Sequence, residues 1–181
     1  MRRPTLISSM LLLVVTIPVI AQQTATPVAA RPEDVASEDA IIGALYDVIS
    51  GAAGEKRDWD RFRSLFAPGA RLIPTGKRSD GTRVMRVLTP EDYINTSAPG
   101  LERDGFFEKE VRRVSESFGN ITHAFSTYES FHKRGETTPF MRGINSIQLM
   151  NDGTRWWVVT IFWDSERPDN PIPARYDRQG R

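Results

Sequence analysis

Residues 118–164 of this 181-residue chain read FGNITHAFSTYESFHKRGETTPFMRGINSIQLMNDGTRWWVVTIFWD. Apolar, β-branched and aromatic residues form three long strand-like runs in this stretch, and two short polar turns join the runs. Such a meander is typical of an antiparallel sheet. Because helix-like segments precede it, we predict an α+β fold. In this fold a cone-shaped, curved antiparallel β-sheet wraps around N-terminal helices and leaves a cavity between them.

The last run, residues 156–163, is apolar on both of its faces. Strict alternation of side chains would put one set, Trp156, Val158, Thr160 and Phe162, opposite a second set, Trp157, Val159, Ile161 and Trp163. Helices can cover one face, and a second subunit is the economical cover for the other. We therefore predict a homodimer formed through the outer face of the sheet. Residues 106–118 carry many charges instead, which predicts a sheet edge or a solvated face.

Two helices are predicted before the first strands. The first begins at Asp34 or Ser37, because either side chain can cap exposed backbone N–H groups, and an apolar stripe at helical spacing follows. The second follows Asp58, and the Pro-Gly pair at 68–69 is expected to end it.

A hairpin and a third helix complete the predicted N-terminal half. Residues 70–75 and 82–88 resemble two strands around a turn at Asp80-Gly81. Thr89 is a capping residue, with proline at the first helical position and acids in the first turn. We expect this third helix to be short, because Pro99 is followed by a glycine.

The N-terminus has the pattern of a cleavable secretion signal. Two arginines precede an apolar run at residues 10–21, which is shorter than the roughly 20 residues a membrane-spanning helix needs. Val19 and Ala21 suit signal peptidase, so we predict a signal peptide at 1–21 and a periplasmic or secreted protein. The alternative is an uncleaved anchor helix. Residues 22–36 predict a flexible tether, 37–176 the folded domain, and 177–181 a C-terminal tail.

Composition excludes several classes of function. The chain has no cysteine, which excludes disulfides, lipoprotein anchoring, thiol catalysis and thiolate metal sites. Its formal charge of +1 becomes −1 when Arg2 and Arg3 leave with the signal peptide, so nothing suggests a nucleic-acid partner. We predict no cofactor, and no membrane contact after signal cleavage.

The order of predicted elements resembles that of the nuclear transport factor 2-like superfamily, whose fold is also called cystatin-like. Within it, the chain is similar to the bacterial SnoaL-like branch. The segments that carry the resemblance are DWDRFRSLFAPGARL (58–72), FGNITHAFSTYE (118–129), RGINSIQLMNDGTRWWVVTIFWDSE (142–166) and NPIPARY (170–176). The resemblance implies the cone fold. It does not imply a reaction, because the superfamily includes isomerases, cyclases, dehydratases and non-catalytic binders.

One comparison with ketosteroid isomerase-like sequences is specific. The resemblance places their general-base aspartate at Pro74, which cannot carry a proton, so that route to steroid isomerisation is not expected. Their first-helix tyrosine matches Tyr46. A tyrosine without its base is more often a core residue with a hydrogen-bonded hydroxyl.

His123 is the candidate acid–base residue, with Tyr46 or Tyr128 as its partner. It lies mid-strand among apolar neighbours, so the alternative is a buried histidine with a structural role. No metal site is predicted. His123 and Glu129 share a face but are about 20 Å apart by strand rise, and His132 points to the other face.

A polar set near the fifth strand could bind a carboxylate or a carbonyl group. Its members are Arg142 and Asn145, with Tyr128 and Gln148 within reach across the sheet. Alternatively, Arg142 pairs with Glu129 or Asp164 on the solvent side. The residues predicted to form the ligand site are Trp59, Phe62, Tyr93, Phe125, Arg142, Asn145 and Trp157.

The sequence therefore favours an exported, homodimeric domain that binds a small apolar or carbonyl- or carboxylate-bearing ligand in its cone. Two alternatives stay open. One is an acid–base enzyme of the isomerase, dehydratase or cyclase type that uses His123 with a tyrosine, and the other is a non-catalytic interaction module.

Overall fold

The structure is a computed structural model, and it describes residues 28–177. The predicted signal peptide, the first part of the predicted tether (22–27) and residues 178–181 lie outside the described residues. Within residues 28–177, no helix combines the length and the apolar character needed to cross a membrane.

In residues 28–177, four α-helices lie before or between the strands: α1 Pro32–Val35, α2 Glu38–Ile49, α3 Trp59–Ser64 and α4 Pro90–Asp104. Ser37 caps α2 as predicted, because its Oγ accepts a hydrogen bond from the backbone N–H of Ala40 at 3.0 Å. Helix α1 lies inside the segment predicted as a tether. Asp34 in this helix is buried and bound by Arg61 at 2.8 Å, so ordered structure begins before residue 37.

Two helix ends differ from the sequence-based expectation. Helix α3 ends at Ser64, and the Pro-Gly pair at 68–69 lies inside the next strand. Helix α4 continues through Pro99 to Asp104, where Gly105 (φ 70°) follows. A proline inside a helix costs a backbone hydrogen bond. Here Tyr93 and Leu101, on either side of it, both face the cavity, so packing keeps the helix continuous.

Six strands of the described part of the chain form one sheet: β1 Phe66–Lys77, β2 Arg83–Met85, β3 Phe107–Phe118, β4 Ile121–Phe131, β5 Met141–Asn151 and β6 Trp156–Ser165. Their order is β2-β1-β6-β5-β4-β3. The predicted hairpin (β1 and β2), the meander (β4 to β6) and the edge position of β3 are confirmed. The sheet is mixed, because β1 pairs with β6 in parallel; all other neighbours are antiparallel.

A β-bulge in each of two strands changes which side chains share a face. In β6, Leu149 pairs with Val158 but Gln148 pairs with Thr160, so Val159 is an extra residue. The strict alternation predicted for residues 156–163 is therefore wrong. Val158 packs in the core and Ile161 faces the cavity on the same, inner side of the sheet.

The bulge in β3 lies between Glu110 and Arg112, which pair with Tyr128 and Thr127. Val111 is the extra residue, so Glu110 and Arg113 both face inwards. There Arg113 reaches α2, with its Nη1 at 2.7 Å from Asp39. The charged edge strand thus contributes several ionisable side chains to the interior of the cone.

Helices cover the inner face of the sheet, and the C-terminal segment covers part of the outer face. The hydroxyl of Thr127 donates to the carbonyl of Tyr176 at 2.5 Å, and Arg112 Nε donates to the carbonyl of Arg175 at 2.7 Å. The rings of Phe125 and Tyr176 lie 4.8 Å apart. The chain itself therefore supplies some of the cover that a second subunit was predicted to provide.

Candidate functional site

A cavity of about 230 Å³ lies between the helices and the inner face of the sheet. Its apolar wall includes Leu45, Ile49, Phe62, Leu72, Ile147 and Ile161. Its polar side chains are Tyr46, Tyr93, Ser97, Glu108, Tyr128 and Asn145. An apolar cavity of about 150 Å³ can hold benzene, so this one has room for a small organic ligand. The polar groups can orient such a ligand.

Glu108 is the ionisable side chain in this cavity. It lies near the start of β3, and the hydroxyl of Ser130 on the neighbouring strand donates to its Oε2 at 2.8 Å. Within residues 28–177, no Lys, Arg or His is placed to form an ion pair with it. Removal from bulk water raises the pKa of Glu108 to about 7, against the smaller opposing effect of hydrogen bonds from Ser130 and Asn145. At neutral pH this carboxyl group can therefore both donate and accept a proton.

Tyr46 reaches the same cavity from α2. Its hydroxyl lies 2.7 Å from Ser126 Oγ, and Asn145 Nδ2 donates to it at 3.1 Å. Burial, reinforced by the charge of Glu108, raises the pKa of Tyr46 well above its ordinary value, so the phenol stays neutral. Ser126 Oγ donates its own hydrogen to Glu110 Oε1 at 2.5 Å, so the Tyr46 hydroxyl is the donor in its hydrogen bond with Ser126.

Two more phenols complete the polar wall. Tyr93 on α4 stacks on Phe62 with ring centroids 5.4 Å apart, and Tyr128 on β4 lies 3.3 Å from Ser165 Oγ. Burial raises the pKa of both phenols. Tyr128 depends on Gly143 in the adjacent strand, because a Cβ there would overlap the phenol. All three tyrosines can thus present neutral hydroxyl groups to a ligand.

The predicted acid–base set is divided by the sheet. Tyr46 and Tyr128 line the cavity, but His123 does not. His123 is five residues from Tyr128 on the same strand, so its side chain points to the outer face, where Nε2 lies 2.9 Å from Ser146 Oγ. The structure therefore does not bring His123 together with either tyrosine.

The predicted ligand site is only partly assembled. Phe62, Tyr93 and Asn145 line the cavity. Trp59 instead packs edge-on against Phe62 at 5.6 Å and donates to Glu102. Trp157 donates to Asp152 at 2.6 Å and lies under the guanidinium of Arg155. Phe125 lies on the outer face against Tyr176. Trp59, Trp157 and Phe125 are not among the residues that line this cavity.

Arg142 also lies on the outer face, in a network of carboxylates. Its Nε is 3.5 Å from Glu129 Oε1, its Nη1 is 2.9 Å from Glu166 Oε2, and its Nη2 contacts Asp177. The alternative in which Arg142 pairs with Glu129 is confirmed. Side chains alternate along β5, so Asn145 points into the cone while Arg142 points out of it.

Glu108 is the residue that the sequence-based predictions missed. In the sequence it is one of several charges on a strand predicted to be solvated. The available signal was local: Glu108 directly follows Phe106-Phe107, whereas the more polar part of the strand comes later. In residues 28–177, no three His, Asp or Glu side chains are arranged to hold a metal ion.

No protein-family model matches the chain, and no curated protein matches it with significance. Solved structures are similar in fold. A protein of unknown function with a cystatin-like fold from Nostoc punctiforme has a TM-score of 0.52 at 10% identity, covering 71% of this chain and 87% of its own. A Kribbella flavida protein has a TM-score of 0.51 at 9% identity, covering 70% and 86%.

A third similar structure is an NTF2-like protein of unknown function from Silicibacter pomeroyi. It has a TM-score of 0.47 at 14% identity, and the match covers 72% of this chain and 94% of the other. The chain has an α+β cone fold of the cystatin-like kind, as its sequence predicts. At these identities the likeness concerns the fold alone.

Proposed function

We propose that the cone cavity binds a small, largely apolar molecule that carries one polar end group, such as a carbonyl. The observation that carries this proposal is the combination of an apolar cavity of about 230 Å³ with Glu108 and Tyr46 in its wall. Apolar walls supply affinity, and a few fixed polar groups supply orientation. A filled cone would instead have favoured an interaction module.

The polar groups suit an oxygen acceptor. Glu108 is about half protonated near pH 7 and can donate to a carbonyl oxygen. The neutral Tyr46 hydroxyl can donate to the same oxygen when its hydrogen turns from Ser126 to the ligand. Among the described residues, 28–177, no Lys, Arg or His lines this cavity. A neutral carbonyl compound therefore fits the inner wall without leaving a buried charge unpaired.

A second candidate function is acid–base catalysis with Glu108 as the group that transfers the proton. A general acid or base works best when its pKa lies near the operating pH, and Glu108 meets this condition. The neutral phenols of Tyr46 and Tyr128 would stabilise negative charge on the oxygen of the reacting molecule. Glu108 takes the role that the sequence suggested for His123.

Export and dimerisation belong to the same proposal. The N-terminal pattern supports export through a cleaved signal peptide. Apolar side chains on the outer face of the sheet support a homodimer. Four of them are at least one-third exposed and lie on this face by strand register: Val114, Phe118, Ile121 and Phe162. Sedimentation of the purified protein at micromolar concentration should show twice the monomer mass.

Ligand binding can be tested by calorimetry with octan-2-one, an apolar chain with one carbonyl. We expect binding to the wild-type protein and its loss in Ser97→Phe, which would place a ring in the cavity. Asn95→Phe is the matched control, because residue 95 is exposed on the same helix. The proposal is contradicted if the wild-type protein gives no binding heat, or if both variants bind equally well.

A further inference from the structure

A second concave site adjoins the cone cavity. It is a cleft of about 470 Å³ between α2 and the edge strand β3, and the loop after β4 forms its rim. Asp39, Gly43 and Asp47 line it from the helix, and Glu110 and Arg113 line it from the strand. Unlike the cavity, the cleft has mostly charged walls.

Tyr46 and Glu108 line both the cavity and the cleft. The two spaces therefore meet at the polar end of the proposed ligand site. A molecule whose polar end lies beside Glu108 can extend a further group into the cleft while its apolar part stays in the cavity. What that group should be depends on the charges that remain uncompensated in the cleft.

The acidic side chains of the cleft already have donors. Arg113 binds Glu110 at 2.6 Å and Asp39 at 2.7 Å. Arg61 binds Asp47 at 2.5 Å. Glu136 Oε2 accepts hydrogen bonds from the backbone N–H groups of His132 and Lys133 at 3.0 and 3.2 Å. Arginines therefore compensate the charges of Glu110, Asp39 and Asp47, whereas the described donors to Glu136 are neutral backbone N–H groups.

The basic side chains on the rim are not compensated in the same way. Among residues 28–177, no carboxylate lies within ion-pair distance of Lys133 or Arg134, and both are exposed. The Arg134 guanidinium lies over the ring of Phe107 at 5.1 Å. Lys109 Nζ is 3.9 Å from Glu129 and 4.5 Å from the centroid of the Phe131 ring. The rim thus presents positive charge beside aromatic surface.

We propose that cavity and cleft together bind one amphipathic anion. Its apolar chain lies in the cone, and its carboxylate lies in the cleft, where Lys133 and Arg134 bind it. This inference rests on the proposed function and specifies the polar end group as a carboxylate that lies in the cleft, outside the uncharged inner wall of the cone. Two cations at a rim attract a carboxylate over several ångströms without the cost of burying its charge.

The test compares two ligands of equal chain length, octanoate and octan-2-one, by calorimetry at low ionic strength. We expect octanoate to bind about fivefold more tightly, the gain that two partly exposed ion pairs supply. Lys133→Ala/Arg134→Ala should remove this gain and leave the ketone affinity unchanged. The control Arg78→Ala/Arg83→Ala removes the same net charge from the exposed β1–β2 hairpin, and we expect it to change neither affinity.

The outcomes separate the two proposals. If the ketone binds but octanoate binds no more tightly, the anionic end group is wrong and the cavity proposal stands. The same holds if the two double variants weaken octanoate binding equally, because net charge rather than the rim would then be responsible. If neither compound binds, the proposed function fails, and this inference fails with it.

Discussion

Two glutamates on adjacent strands of one sheet show how the two faces differ. Glu129 on β4 points outwards, has a side chain only 2% exposed, and is accompanied by Arg142 at 3.5 Å and Lys109 at 3.9 Å. Glu108 on β3 points inwards and accepts hydrogen bonds from neutral side chains, those of Ser130 and Asn145. A carboxylate that has cations beside it stabilises the fold in its ionised form. A carboxyl group isolated from cations in a cavity keeps a proton that it can exchange near neutral pH.

The largest effect should come from breaking the outer network. Arg142→Ala removes the nearer of the two cations beside the buried Glu129 and leaves Lys109 at 3.9 Å. Removing one partner of a buried ion pair costs up to about 3–5 kcal/mol of unfolding free energy. Urea denaturation measures it. Arg112→Ala on the same face is the matched control, because Arg112 donates to a backbone carbonyl, and its loss should cost about 1 kcal/mol. Equal losses in the two variants would mean that Glu129 does not depend on Arg142.

The inner glutamate should behave in the opposite way. The folded-state pKa of Glu108 is raised from 4.5 to about 7, so the folded protein prefers the protonated form. Ionisation of Glu108 therefore lowers the free energy of unfolding progressively between pH 4.5 and 7, and this loss reaches its full size above pH 7. Glu108→Gln removes this cost. The substitution should raise the free energy of unfolding by up to about 3 kcal/mol at pH 8 and should change it little at pH 4.

Urea denaturation at the two pH values checks this expectation. Glu116→Gln, an exposed position on the outer face of the same strand, is the control and should change stability by less than about 0.5 kcal/mol at either pH. A Glu108→Gln variant that is less stable than the wild type at pH 8 would show that the charged form is the one the cavity favours.

A smaller effect distinguishes tyrosines of the two faces. The Tyr46 hydroxyl contacts Ser126 and Asn145 inside the cone, so Tyr46→Phe should cost about 1–2 kcal/mol of unfolding free energy and weaken octan-2-one binding. Tyr176 packs on Phe125 outside the cone through its ring. Tyr176→Phe should therefore leave both quantities unchanged. A similar cost for both substitutions would remove the distinction between the faces.

The parts of the fold that depend on residues close together in the sequence were predictable. Ser37 and Thr89 cap their helices as expected, and the β1–β2 hairpin and the meander follow turn chemistry and strand patterning. The parallel pairing of β1 with β6 was not predictable, because it joins residues almost 90 positions apart along the chain. The continuation of α4 through Pro99 depends on packing against the cone.

The two bulges explain part of what was missed at the site, the faces of β3 and β6. Val111 and Val159 are the extra residues, and neither bulge has a glycine there to mark it in the sequence. Unless the bulge in β3 is known, its side chains cannot be assigned to the two faces of the sheet along the whole strand. The raised pKa of Glu108 also depends on which side chains are absent around it, and that is a property of the folded chain. Tyr46, Tyr128 and Asn145 were identified because their strands or helix are regular.

The smallest effect concerns His123, on the face opposite the cavity. Its only described hydrogen bond is with Ser146, and the sheet separates it from Glu108. His123→Ala should change the dissociation constant for octan-2-one by less than about twofold, since well-separated sites act independently. A larger change would show that the outer face is coupled to the cone.

The most direct test of a proton-exchanging carboxyl group in the cone is the pKa of Glu108 itself. A ¹³C NMR titration of the glutamate side-chain carboxyl carbons, with the Glu108 signal assigned by its loss in Glu108→Gln, measures it. The structure predicts a midpoint near 7, from burial without a cation. A midpoint at the ordinary glutamate value of about 4.3 would contradict the account, because Glu108 would then be a fully charged carboxylate at neutral pH.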